Sequence, residues 1–112
     1  MASLEQQIAE DNAAIEDYRA KFGDEKAAEF AAQLLTGLAH ARLRLRAFDE
    51  AIALYEEALR RFPTALCAPE AQYFLAVANY RKSGEGSDLL KGWHRLEGRY
   101  PLTEWTVKQD FH

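Results

Sequence analysis

The tripeptide Arg61-Phe62-Pro63 recurs as Arg99-Tyr100-Pro101, 38 residues further on, and no other feature constrains the fold as much. Leu38-Ala39-x-Ala41 recurs likewise as Leu75-Ala76-x-Ala78 at a shift of 37; the one-residue difference fits an insertion in the Gly-rich turn that follows. A unit of this length is a single supersecondary motif, which cannot bury its apolar face alone and gains a core only by stacking on its neighbours. Upstream, Tyr18 to Phe22 looks like the end of an earlier copy, with Gly23 where the later copies have proline. The 112 residues, one domain's worth, therefore divide into a half repeat over 1–22, whole repeats over 25–63 and 68–101, and a terminal fragment over 102–112.

Each unit reads as helical. Phe48, Ala51, Ile52, Tyr55, Ala58, Leu59 and Phe62 follow the one-face spacing of an α-helix, and Pro63 blocks its continuation. Ser3 with Gln6 fits a capping box ahead of Leu4, Ile8, Ile15, Tyr18 and Phe22. Gly23 stops that first helix, and Asp24 is the expected N-cap of a second, from about residue 25 to 44, burying Phe30, Leu34, Leu35, Leu38 and Leu45. Pro69 suits the first turn of a fourth helix reaching Lys82. Ser83 to Gly86 form a turn, Ser87 is the expected cap of a fifth helix ended by Pro101, and a short last helix is expected around Trp105 and Phe111. Val, Ile and Thr are scarce, while Ala, Leu, Glu, Arg and Lys make up about half of the chain, so the expected class is all-α.

Composition narrows the function. The longest uncharged run, Phe30 to Ala41, is far short of a membrane span, and the first dozen residues carry acids and no base, unlike a signal peptide. One cysteine allows no internal disulfide, so the cytoplasm is the expected compartment. Net charge is −4: residues 1–30 carry −5 and residues 31–112 carry +1, which gives phosphate backbones little counterion-release incentive. Nucleic acid and anionic membranes are thus disfavoured as partners.

Divided into these units, the chain resembles the tetratricopeptide repeat family. Leu35, Leu38 and Ala39 match its large, large and small positions on helix A; Phe48, Glu50, Ala51, Tyr55, Ala58 and Pro63 match helix B and the closing proline. In the second copy Leu75, Ala76, Trp93 and Pro101 fit, whereas Leu89 and Leu96 stand where small residues are usual and are expected to push the helix axes apart. The arginine-aromatic-proline endings are similar to a bacterial subgroup found in envelope-assembly proteins and behind thioredoxin-like domains. The resemblance covers roughly residues 12–106. It implies antiparallel helix pairs stacked as a short right-handed superhelix of about 2.5 repeats, with helix A faces lining a concave groove.

Catalytic signals are weak. His40, His94 and His112 show no ligand spacing, and Gly84-Glu85-Gly86 lacks the lysine and hydroxyl of a phosphate loop. Glu16/Asp17 and Glu56/Glu57 read as solvated charges on helix surfaces. Cys67 precedes a helix N-terminus, which can lower a thiol's pKa; the competing reading is a small apolar residue covering the core. No catalysis, metal or cofactor is expected, and an enzyme using Cys67 or a histidine is the weakest of three readings.

The favoured reading is a protein–protein interaction module whose groove holds a peptide or helix of a partner. Gln33, Thr36, His40, Leu43 and Arg44 form the groove face of the first repeat, and Tyr73, Val77 and Tyr80, with Arg81 beside them, that of the second. The competing reading of Tyr73 and Tyr80 is core, covered by the segment around Trp105. Of the three arginines Arg42, Arg44 and Arg46, Arg44 is expected to approach the groove. Thr36 and His40 replace the lysine and asparagine with which the family clamps a chaperone's terminal carboxylate, which argues against that ligand. The alternative function is structural: unpaired apolar faces at both ends of so short an array favour self-association into a homo-oligomer.

Overall fold

A computed structural model describes residues 3–99 as five helices: α1 (Leu4–Phe22), α2 (Asp24–Arg44), α3 (Phe48–Arg61), α4 (Ala68–Ser83) and α5 (Gly86–Arg99). No strand occurs among the described residues. The expectations for Tyr100, Pro101, Trp105, Phe111, His112 and the 102–112 cap lie outside them.

The helices end where the chemistry of their ends dictates. Ser3 Oγ accepts from the Gln6 N–H at 3.1 Å, completing one arm of the expected capping box. Gly23, at φ +95°, joins α1 to α2 alone: its N–H donates to Arg19 O and its carbonyl accepts from Ala27 N–H. That positive φ favours glycine and leaves no separate cap residue, so Asp24 is the first helical residue rather than the N-cap, and its carboxylate meets Arg19 Nε at 3.2 Å. After α2, Ala47 N–H donates to Arg42 O and Arg46 N–H to Leu43 O, the paired bonds of a Schellman turn, with Arg46 itself left-handed at φ +61°. This turn peels Leu45 off the helix, and Leu45 is exposed instead of buried as expected; Leu43 fills the interior. Gly84, at φ +74°, closes α4, and α5 begins at Gly86, one residue ahead of the expected Ser87 cap.

Each helix packs on the next in sequence, and α2 also touches α4. Facing residues such as Tyr18 and Phe30, His40 and Tyr55, or Ala76 and Gly92 lie nearly equidistant from the connection between their helices, as in antiparallel pairs. The core centres on Tyr55, fully buried among Leu38, Leu54, Leu59, Leu75 and the small residues Ala39, Ala51, Ala71 and Ala78. A second cluster joins α1 to α2 through Ile15, Ala27 and Ala31, with Tyr18, Phe30, Leu34 and Phe62 packed on it. Phe22, at the edge of this cluster, stacks on Tyr18 yet keeps half of its surface in solvent.

The α4–α5 pair corrects one sequence expectation. The axes are not held apart by large residues, because Gly92 lies directly against Ala76: a Cβ built on Gly92 would sit 2.1 Å from Ala76 Cβ. Leu96, one turn on, is fully buried. The small residue required at the crossing is therefore present, at a position that the alignment of the two repeats passed over.

Candidate functional site

Where α2 meets α4, two of the sequence-predicted groove residues, Thr36 and His40, make contacts across the helices. Thr36, His40 and Arg44 follow one another at four-residue spacing on α2; Thr36 meets Cys67, the residue before α4, and His40 meets Glu70 and Phe74 on α4.

The His40 ring bridges three helices. Its Nδ1 lies within hydrogen-bond reach of the Tyr55 hydroxyl on α3, and its Nε2 lies 3.2 Å from Glu70 Oε2 on α4. A carboxylate only accepts, so Nε2 carries a proton toward Glu70, and the Tyr55 hydroxyl pairs with Nδ1 on the other side of the ring. Phe74 meets the His40 ring edge-on at 4.7 Å and fixes its plane. Burial, reinforced by the Glu70 charge and opposed by Arg44, pushes the Tyr55 phenol far above its ordinary range, so it remains a hydrogen-bond donor at neutral pH.

One turn earlier, Thr36 Oγ1 donates to the Ala32 carbonyl at 2.8 Å and lies 3.6 Å from Cys67 Sγ. Since the hydroxyl proton is committed to Ala32, the thiol is the donor of the second contact. Burial pushes the Cys67 thiol above its ordinary value of 9.0, with Glu29 and Glu70 adding to the shift. The N-terminus of α4 thus does not generate a thiolate here, and Cys67 sits in the packed interface.

The remaining predicted residues fall into two groups. Thr36, Leu43 and Tyr73 are buried, and burial raises the Tyr73 phenol as well; these three support the face from below. Gln33, Arg44, Tyr80 and Arg81 are exposed, and His40 and Val77 half-buried. Arg81 lies over the Phe48 ring at 5.6 Å, and its neighbour Lys82 pairs with Asp49 at 2.5 Å, which anchors the end of α4 to the start of α3. Arg42 points away from this face: its Nη2 donates to Gln7 of α1 at 2.8 Å and its Nε lies 3.5 Å from Glu50, so it clamps the first helix to the array. Sequence reasoning missed Glu70 and Phe74, the two α4 residues that hold His40.

Among the described residues no group of three His, Cys, Asp or Glu side chains could hold a metal ion, and no helix is long and apolar enough to cross a membrane. No family model, curated protein or solved structure gives a significant match to the chain.

Proposed function

We propose that this chain is a non-catalytic, tetratricopeptide-like interaction module of a bacterial-type cytoplasmic protein, taking a peptide or helix of a partner on its α2–α4 face. The observation that carries the reading is the make-up of that face: exposed Arg44, Tyr80 and Arg81 surround half-buried His40, Phe74 and Val77 on two helices in contact. Apolar bodies with polar or cationic tips suit a surface that desolvates a partner and fixes its register. The commitment of His40 to Tyr55 and Glu70, and of the Cys67 thiol to Thr36, favours structural over chemical roles for both.

Selection from a displayed random-peptide library tests the proposal. Binders are expected to be enriched and to lose at least tenfold in affinity on Arg44→Ala or Tyr80→Ala, while both variants melt like the parent. Failure to enrich any binder, or binders indifferent to both substitutions, would overturn it. Light scattering distinguishes the self-association alternative, which requires a concentration-dependent mass from the unliganded chain.

A further inference from the structure

A second recess lies on a different side of the molecule, between α3 and α5. It encloses about 710 Å³, with Glu56, Leu59, Arg60 and Pro63 on one wall, Gln72 and Leu75 of α4 as floor, and Arg95 and Arg99 on the other wall. Helices α3 and α5 both pack on α4 and not on each other, which among the described residues leaves a trough between them above α4.

The chemistry of its lining marks it as a binding site. Gln72, 2% exposed, supplies an amide on its floor. Its walls carry the charge. Arg95 and Arg99 lie one turn apart on the same face of α5, and neither pairs with an acid among the described residues. Arg60 makes only a loose 3.9 Å contact with Glu57, outside the recess. Among the described residues, three guanidinium groups thus line the trough with one carboxylate, Glu56.

We propose that this trough binds an acidic, extended segment of another protein. The walls favour a polymer over a small molecule: the arginines and Glu56 are exposed, whereas a small-molecule pocket encloses most of its ligand. From Glu56 to Pro63 the trough runs along two helical turns, about 10 Å, which matches roughly three residues of extended chain. The Gln72 carboxamide offers both donor and acceptor and so complements a peptide group of the ligand, while Arg95 and Arg99 take carboxylate side chains in forked hydrogen bonds. Leu59 and Leu75 supply the apolar floor between them. This site is separate from the α2–α4 face and does not depend on its occupancy.

Fluorescence anisotropy with a labelled peptide of alternating glutamate and alanine tests the inference, with glutamine- and lysine-containing counterparts as controls. Saturable, salt-sensitive binding of the glutamate peptide alone is expected. Arg95→Glu combined with Arg99→Glu should weaken it more than tenfold. Gln72→Leu should weaken it severalfold, because it removes the amide on the trough floor. Equal binding of all three peptides, or affinity unaffected by the charge reversal, would overturn the inference. Displacement of the peptide by inorganic phosphate at equal molar concentration would also overturn it, by identifying a general anion site. Salt-sensitive dimers of the unliganded chain that the charge reversal abolishes would overturn it in favour of a second copy as occupant.

Discussion

Replacing Gly92 by alanine puts the α4–α5 packing to a direct test. Gly92 lies inside α5, where an added methyl ordinarily stabilises a helix by about 1 kcal/mol. Here that methyl would lie 2.1 Å from Ala76 Cβ and 3.0 Å from Ala76 Cα. Carbon atoms rest about 3.5–4.0 Å apart, so the two helices must separate by roughly 1.5 Å. Both obstructing atoms are rigidly attached to backbone, and no rotamer change relieves the overlap. The cost belongs at the upper end of overpacking, about 3 kcal/mol, which leaves a net loss of about 2 kcal/mol. For a domain of this size the melting temperature should fall by about 10 °C, read by far-ultraviolet circular dichroism. Ala76→Gly alone should also destabilise, by about 2 kcal/mol, through helix propensity and a lost buried methyl. The double variant exchanges the two residues and should recover most of the sum, giving a coupling energy above about 1.5 kcal/mol. A Gly92→Ala protein as stable as the parent, or a strictly additive double variant, would show that α4 and α5 do not cross at this pair.

Three further outcomes follow from the geometry. Arg46→Gly should raise stability by about 0.5–1 kcal/mol, since an L-residue pays about 1–2 kcal/mol for the left-handed conformation at φ +61° and glycine loses only part of that in unfolded-state entropy; a lower melting temperature would reveal a contact made by the arginine. Tyr55→Phe should cost about 1–2 kcal/mol in urea unfolding, because His40 Nδ1 loses its donor, while Tyr55→Ala should cost about 3–5 kcal/mol through the cavity; equal losses would deny the hydrogen bond any role. Stability should fall in alkali. Tyr55, Tyr73 and Cys67 all hold their protons more tightly folded than unfolded, so their contribution is complete below the ordinary values of 9.0 for the thiol and 10.0 for the phenols, and is lost as pH rises beyond them; a urea midpoint unchanged well above pH 10 would contradict this.

The helices were legible because their ends carry chemical marks. Ser3 supplies a hydroxyl for the first free N–H groups, Pro63 cannot continue α3, and Pro69 tolerates only the first turn of α4. α3 was clearest, since one side meets core and the other water, and its apolar period follows. The misses share a physical origin. Gly23 acts as two caps at once, Arg46 adopts a conformation usually left to glycine, and Gly92 permits contact by having no side chain. None of these contributes to a hydrophobic period. Leu89 and Leu96 do, and they drew the reading toward helices held apart when the crossing was set by the glycine beside them.

The candidate site was less legible for a reason built into α4. This helix packs against α2, α3 and α5, and its sequence shows almost no amphipathic asymmetry. Periodicity identifies a face only when the opposite face meets water. Tyr73, Val77 and Tyr80 therefore form a regular stripe in sequence that runs from buried through half-buried to exposed in space. The same three-sided packing buries Gln72, whose amide in a one-sided helix would read as solvent-facing. A polar residue in such a helix is informative only once its neighbours are known: Thr36 and His40 find partners across the α2–α4 contact, while Gln72 meets a trough that two helices leave open. The surroundings of a polar residue thus reside in the third dimension, and the charge of the walls directs the search for a ligand to the arginine-lined trough between α3 and α5.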